Sequence, residues 1–376
     1  MKIRMYNVGC GDCFCIRDRG KSLLVDFGTS NSRINGQPRS GIFDVIISDL
    51  TTISHKNLLL TNFHPDHLSG LLYMMKRRKS AYEFGKIYLP DVFSEPGMSR
   101  TLALLLLSDL LKNTYLPSKQ ISLFALVEAL CRKPQRVGFL CRGREFEGKY
   151  QALWPDTEII RKETAEVYEK IAEDHEEAVK ALTHFAEEIR QIVWNMRDEE
   201  NESMPFSAVD RELKELRSRG DFQQLLSDLE EEKVNLRKFK NKISIVFQNA
   251  RDGELNLLFT GDVQQEHFKQ IAENYDGKYP LYDHYWCIKV PHHGSQSHFF
   301  DFAPYTPENM LISNGIYYAE RKKQAGAYRT AAQYAGLFYI NDTHMYCSDS
   351  KCCDGYRNGC TCKECDIIEP LYYKDI

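Results

Sequence analysis

The sequence predicts an α/β chain in which strands on both sides of a long helical segment build one domain. Three observations carry this expectation. Short apolar runs recur that end in glycine or in a polar cluster, at residues 22–28, 57–67, 255–262 and 287–295. Between the second and third of these the period changes. Leu182, Phe185, Ile189, Ile192 and Met196 follow one another at intervals of 3, 4, 3 and 4, the seam of a helix packed on another helix. Strand patterns then return at 243–247, 255–260 and 287–290.

Taken in order, Ile3 and Met5 alternate as in a strand, and the chain turns at Gly9 and Gly11. Residues 22–26 form a second strand ending at Gly28, so the two read as a hairpin with a glycine-rich turn. Residues 30–42, rich in Ser, Asn, Gly and Pro, read as a loop. A buried strand at 57–61 runs straight into Asn62, His64, Asp66 and His67. Residues 70–79 read as a helix, 86–89 as a strand, and 99–113 and 118–131 as two further helices. The segment 158–240 reads as a helical hairpin, acidic on its first arm and broken at 201–205. Two roles stand for it, a solvated scaffold or a docking surface for a protein partner. A helix at 265–273 and strands at 310–313 and 338–340 complete the pattern. Four parts follow: 1–157, the insert 158–240, 241–345, and a cysteine-rich tail at 346–376.

A chain of 376 residues can bury a full core as one large or two ordinary domains. A net charge of −4 argues against a general polyanion binder, although basic residues gather locally at Lys76–Lys79, at Arg132, Lys133, Arg136, Arg142 and Arg144, and at Arg321–Lys323. Such clusters either track a phosphate backbone or form a solvated surface. The first residues lack the apolar core of a signal peptide, and the apolar run at 102–107 is too short to span a bilayer, so the expectation is a cytoplasmic protein with no membrane partner. Cysteines number 12, and six crowd the tail. Without an export signal this placement points to zinc or to reduced thiols. Cys362 and Cys365 have knuckle spacing, and Cys347, Cys352 and Cys360 are candidates to complete a structural Zn²⁺ site. Cys10, Cys13 and Cys15 alternate along a strand and read as core packing.

Three polar clusters end buried strands: Asn62 to His67, Asp262, and His292 to Ser295. Strand ends are where α/β folds place their sites, and histidine with carboxylate is a ligand set for Zn, Mn or Fe. His175 and His184 lie in the helical insert and read as helix-surface residues.

The segment Thr61-Asn-Phe-His-Pro-Asp-His-Leu-Ser-Gly70 resembles the metallo-β-lactamase signature, in which a strand ends in His-x-His-x-Asp-His. Further pieces resemble one branch, the hydrolase domain of the bacterial DNA-uptake (competence) channel and its free-standing relatives. These are Val8-Gly-Cys-Gly-Asp12, Val25-Asp-Phe-Gly28, Leu153-Trp-Pro155, Asn241-Lys-Ile-Ser244, Phe259-Thr-Gly-Asp262, Lys289-Val-Pro-His-His-Gly-Ser295 and Ile312-Ser-Asn-Gly315. The resemblance covers about residues 1–155 and 241–340 and skips the insert. It implies a metallo-β-lactamase αββα four-layer sandwich carrying an inserted helical hairpin, with metal at one edge. It implies His64, Asp66, His67, Asp262, His292 and His293 as ligands, with Asp66 and Asp262 orienting the nucleophile. Asn62, Ser295 and Ser297 would flank the metal or contact substrate, and for the two serines a plain turn role stands beside this. The implied ion is Zn²⁺ or Mn²⁺. Asn62 replaces the signature's first histidine, and no histidine follows the late strand, so one full metal position is expected rather than a pair.

The function so implied is a metal-dependent hydrolase, a phosphodiesterase or nuclease that attacks nucleic acid with metal-bound hydroxide. Two alternatives stand: a hydrolase of a small phosphoester, and a degenerate member whose metal is structural and whose insert recruits a partner.

Overall fold

The computed structural model describes residues 1–34, 36–53, 55–77, 84–112, 122–132, 136–197, 206–314, 330–331, 333–348, 365–367 and 373–376. The chain begins with three strands, β1 (Lys2–Tyr6), β2 (Phe14–Asp18) and β3 (Lys21–Val25), and a minimal hairpin, β4 (Arg33–Ile34) and β5 (Gln37–Pro38). Then come α1 (Arg39–Thr51), β6 (Lys56–Leu59), α2 (Pro65–Arg77), β7 (Ile87–Pro90), α3 (Ser99–Lys112), α4 (Ser122–Arg132), β8 (Val137–Leu140), β9 (Glu145–Phe146) and β10 (Tyr150–Trp154). The middle of the chain is helical: α5 (Thr157–Asn195), α6 (Phe206–Ser218), α7 (Gly220–Asp228) and α8 (Lys233–Lys242). Last come β11 (Val246–Asn249), β12 (Leu257–Phe259), α9 (Gln265–Ala272), β13 (Tyr285–Lys289), β14 (Pro307–Ile312), α10 (Gln333–Asn341), β15 (His344–Cys347), β16 (Cys365–Ile367) and β17 (Tyr373–Asp375).

Two sheets result, ordered β17-β1-β2-β3-β6-β7-β8 and β16-β15-β14-β13-β12-β11-β10-β9. Strand alternation gives each sheet an apolar inner face. Ile3, Met5, Phe14, Val25 and Leu59 of the first sheet share one buried cluster with Phe247, Phe259, Cys287 and Leu311 of the second. The rings of Phe14 and Phe259 meet edge to face at 5.6 Å. Leu24 and Leu58 of the first sheet and Ile288 and Met310 of the second belong instead to the larger cluster, together with helix residues such as Ile46, Leu71 and Phe268. Arg4, between Ile3 and Met5, points the other way and reaches Asp49 of α1 at 2.8 Å and Asp375 of β17 at 2.5 Å.

The site's position follows from strand direction. β3, β6, β7 and β8 run parallel, as do β12, β13, β14 and β15. Parallel strands present their carboxyl ends at one edge of a sheet, where the following loops gather. The segments after β3, β6, β12, β13 and β14 therefore all emerge together.

The helical middle is tied to the rest at several points. Asp156 caps α5 by accepting from the backbone N–H groups of Glu158 and Ile159 at 2.9 and 3.1 Å. α5 is kinked at His175, whose φ of −135° leaves the helical region. The helix packs on α3, where Thr101 and Thr164 share a hydroxyl hydrogen bond of 2.9 Å. Lys240 of α8 pairs with Asp109 of α3 deep in the interior. Glu163 of α5 accepts from Lys242 at 2.6 Å and from His267 of α9 at 3.0 Å.

The elements depart from the sequence expectations in three places. Residues 39–51 form α1, whose first turn overlaps the loop expected at 30–42; Ile42, Phe43, Ile46, Ile47 and Leu50 recur on one face and are buried. Residues 338–340 lie in α10, and the strand of that region is β15. A short apolar run fits either element, and here helix won. The helical middle continues as three shorter helices after α5 rather than as a single second arm. The break at 201–205 lies outside the described residues, as do Cys352, Cys360 and Cys362. Cys347 ends β15, buried, and Cys365 opens β16 on the neighbouring strand. Among the described residues no helix is long and apolar enough to cross a membrane.

Candidate metal centre

Three loops press together without intervening side chains. A Cβ on Gly11 would meet the Gly28 carbonyl oxygen at 2.3 Å, and one on Gly28 would meet the Asp66 carbonyl carbon at 2.5 Å. Glycine at both places lets the loop after β1 lie directly on the turn that carries Asp66 and His67. Backbone bonds lock this contact: the Asp12 N–H donates to Asp66 O at 3.0 Å, and the Phe27 N–H to His67 O at 2.7 Å.

His67 is fully buried, its imidazole set between two carboxylates. Nδ1 lies 2.9 Å from Asp26 Oδ2, and Nε2 lies 2.9 Å from Asp262 Oδ2. Asp26 is itself held by the Thr61 N–H and hydroxyl, both donating at 2.7 Å. Burial works against a charged ring, but Asp262 and Asp26 outweigh it and raise the His67 pKa well above the usual value. The metal-free ring therefore holds protons on both nitrogens. A cation at Asp262 would take the place of the Nε2 proton, with the Nδ1–H still donating to Asp26, the arrangement by which a carboxylate orients a metal-binding histidine.

His293 repeats the design. Its Nδ1 faces Asp12 Oδ1 at 3.1 Å and Ser313 Oγ at 3.2 Å, and the Ser313 hydroxyl donates to Asp12. Its Nε2 points inward, 3.6 Å from Asp66 Oδ2 and 3.8 Å from Asp262 Oδ2. That nitrogen and Asp262 Oδ1 are buried without a hydrogen-bond partner. Buried polar atoms are nearly always satisfied, so the pair marks a place where a ligand is due. His292, His293 and Gly294 have φ of 45, 59 and 79°, three successive left-handed residues. Such backbone strain is concentrated at functional sites, and here it turns His293 into the cluster.

The site gathers buried carboxylates. Asp12, Asp26, Asp66 and Asp262 are all at most 9% exposed, and among the described residues one buried ammonium stands with them, Lys289. Lys289 Nζ lies 2.6 Å from Asp12 Oδ2 and 3.8 Å from Asp262 Oδ1. Burial pushes every one of these carboxylates up. For Asp12, Asp66 and Asp262 the neighbouring lysine and histidines win and hold them below the usual range. For Asp26 burial wins. The donor atoms of His67, Asp262 and His293 lie within 4.8 Å of one another, as do those of Cys10, Asp66 and His293. Nitrogen and carboxylate oxygen at this spacing fit a divalent transition ion.

The remaining sequence-expected residues take different places. Asn62 is fully buried, but its Oδ1 accepts from the His64 N–H at 2.8 Å and its Nδ2 donates to Ser244 Oγ at 3.2 Å. Because Ser244 Oγ also accepts from the Asp262 N–H at 3.0 Å, Asn62 braces two ligand-bearing turns. His64 stands outside the close-set groups of donors. Burial, with Lys240 adding to it, drives its pKa down to about 4. His292 has its Nε2 3.9 Å from Asp262 Oδ2, about as near as that of His293, while its Nδ1 lies 2.9 Å from Nδ1 of His298. Burial lowers it to about 3, so it is a neutral ring. Ser295 lies 3.1 Å from His292 Nδ1, and Ser297 lies 2.9 Å from His298. Asp12, Asp26, Lys289, Ser313 and His298 are the contributors that residue types alone did not single out. Of the local basic residues, Arg142 is committed to Asp276 at 2.9 Å and lies against Tyr275 and Tyr279. Arg78 and Lys79, Lys133 and Arg321–Lys323 lie outside the described residues.

No protein-family model matches the chain. No curated protein matches it. Among solved structures it is similar to the metallo-beta-lactamase fold protein YhfI from Bacillus subtilis, at 9% sequence identity and a TM-score of 0.39, with 100% of both chains covered. So slight a likeness carries no claim about the chemistry of this chain.

Proposed function

We propose that this chain is a metal-dependent hydrolase of the metallo-β-lactamase type, four-layered like that family, acting on phosphodiester bonds of nucleic acid. The observation that carries the reading is the convergence of His67, Asp262 and His293, each from a different strand end, with both histidines held by a carboxylate at Nδ1. The branch resemblance to the competence-channel hydrolase rests on the sequence motifs, and it supplies the choice of nucleic acid. Asp66, Asp262, His67 and His293 would hold the ion. When bound there, a divalent ion stabilises charge on a phosphoryl oxygen and acidifies a water. The chain's own residues do the rest. Asp26 and Asp12 fix the imidazole orientations, and Lys289 balances the buried carboxylates. Zn²⁺ or Mn²⁺ is the proposed ion, and the helical middle is the proposed docking surface for a protein partner.

One observation favours a non-catalytic reading. Asn62 is spent on Ser244 and the His64 turn, and Lys289 sits where a second cation would neutralise Asp12. A single-ion centre of that kind serves equally as a structural metal in a partner-binding protein. Single- and double-stranded DNA and RNA incubated with Mn²⁺, Mg²⁺ or Zn²⁺, beside an Asp66→Ala, Asp262→Ala variant, separates the readings. Cleavage by the parent that is lost in the variant is the expected outcome. No cleavage with any ion, in a protein that still binds metal, would leave the structural role.

A further inference from the structure

We infer that Cys10 is a thiolate ligand of the same ion, so that the centre has a mixed sulfur, nitrogen and oxygen shell selective for Zn²⁺. This inference rests on the metal reading above and adds a residue that the sequence pattern assigned to core packing. Cys10 is buried, yet it belongs to neither apolar cluster, whereas Cys13 and Cys15 join the larger one. Its thiol, a carboxylate oxygen of Asp66 and a ring nitrogen of His293 lie within 4.8 Å of one another. His293 Nδ1 is engaged by Asp12 and Ser313, which leaves the buried, unpartnered Nε2 facing this group.

The loop is built to hold the thiol there. The Cys10 N–H donates to Asn31 Oδ1 at 2.7 Å, and its carbonyl accepts from the Ser30 N–H at 2.8 Å and the Thr29 hydroxyl at 3.2 Å. Ser30 in turn donates from Oγ to Asp66 Oδ2 at 3.1 Å, so one short loop fixes both the cysteine and the carboxylate. On either side of Cys10, neither Gly9 nor Gly11 tolerates a side chain. A Cβ on Gly9 would meet Asn31 Oδ1 at 2.8 Å, and Gly11 is pressed against Gly28.

His293 joins two donor groups, one with Cys10 and Asp66 and one with His67 and Asp262. Its Nε2 has a single lone pair and can serve one ion only. Both groups therefore describe the shell of one ion. Neighbouring ligands on a four- or five-coordinate zinc, each about 2.1 Å from it, lie about 3.0–3.4 Å apart. The separations of 3.6 Å from His293 Nε2 to Asp66 and 3.8 Å to Asp262 need little contraction to reach that range. A thiolate in the shell shifts preference from the harder Mn²⁺ and Mg²⁺ towards Zn²⁺ and Co²⁺.

The test is titration of the metal-free full chain with Co²⁺, followed by absorbance. Three proteins are compared: wild type, Cys10→Ser made in a tail-substituted chain, and that tail-substituted chain itself, in which Cys347 is changed to alanine and Cys352, Cys353, Cys360, Cys362 and Cys365 to serine, which removes tail thiolates as a source of signal. A near-ultraviolet sulfur-to-cobalt charge-transfer band is expected in the first and third proteins and lost in Cys10→Ser, while visible cobalt bands persist in all three. Zinc X-ray absorption on the tail-substituted chain needs no change at Cys10, and one sulfur neighbour at about 2.3 Å is expected. A charge-transfer band unaltered by Cys10→Ser, or a zinc shell without sulfur, overturns the role of Cys10 and leaves the metal centre standing. Failure of the wild type to bind Co²⁺ or Zn²⁺ at all would instead sink the metal reading itself.

Discussion

Replacing Lys289 with methionine is the sharpest probe of how the buried charges are balanced. The side chain is 1% exposed and lies 2.6 Å from Asp12 Oδ2, itself 1% exposed, so water does not screen the pair. Removing one partner of such a pair costs about 3–5 kcal/mol because the other charge stays buried and uncompensated. For a chain of 376 residues, with about 1.3 °C of melting temperature per kcal/mol, the metal-free variant should melt about 4–6 °C below wild type. Zinc should reverse the order of sensitivity. Without the ammonium 3.8 Å from Asp262 Oδ1 the ion meets less repulsion, and each tenfold gain in affinity adds about 1.4 kcal/mol of protection at saturating zinc. The cost also depends on pH. Asp12 is held below its usual pKa in the folded wild type, so its contribution is present above about pH 4 and is lost as pH falls further. In the variant no ammonium opposes burial, so the Asp12 carboxyl takes up a proton at higher pH than in wild type, and the gap between the two proteins should be widest near neutrality and narrow as pH falls. Differential scanning fluorimetry in EDTA and in zinc, across that range, reads all three effects. A variant that melts with wild type in EDTA, or that zinc protects no better, would refute this account of the charge balance.

Two other outcomes follow from the site's supports. Asp26→Asn removes the carboxylate that orients His67, and isothermal titration should show zinc affinity weakened about 10–100-fold; unchanged affinity would mean that His67 is not a ligand. Glu163→Gln loosens the tie between α5, α8 and α9 and should destabilise the chain by about 1 kcal/mol, since the carboxylate is partly solvated. Burial raises the Glu163 pKa, but His267 and Lys242 prevail and hold it at about 2, so the difference should persist above about pH 4.5 and fade towards pH 2; a difference that grows in acid would contradict this.

The site was legible where chemistry is written in residue types at strand ends, and illegible where it depends on what faces what. Asp66, His67, Asp262 and His293 stood out because each follows a buried apolar run, and all four converge. His64 and Asn62 carry the same signature by position, yet His64 is in none of the close-set donor groups and Asn62 braces Ser244 and the His64 N–H. Asp12 and Asp26 were visible as glycine-flanked carboxylates, but nothing local states that they would support histidines 281 and 41 positions away. Lys289 had a signal that went unused, a lone charge inside an apolar strand. Cys10 had none, since alternation with Cys13 and Cys15 describes a core strand just as well. The helix α1 was hidden by the Ser, Asn, Gly and Pro residues that precede it, although the spacing of Ile42, Phe43, Ile46 and Ile47 is helical.

The pairing of β1 with β17 shapes how the molecule is made. Arg4 and Asp375, 371 positions apart, join neighbouring strands, and the Ile3 and Ile376 backbones exchange bonds of 3.1 and 2.8 Å. On a ribosome adding about 5–20 residues each second, β1 waits roughly 20–70 s for that neighbour. Throughout the wait one side of the strand offers unpaired N–H and C=O groups to any other nascent chain. Arg4 and the exposed Lys2 put positive charge on that open edge, and like charge on a second copy repels it.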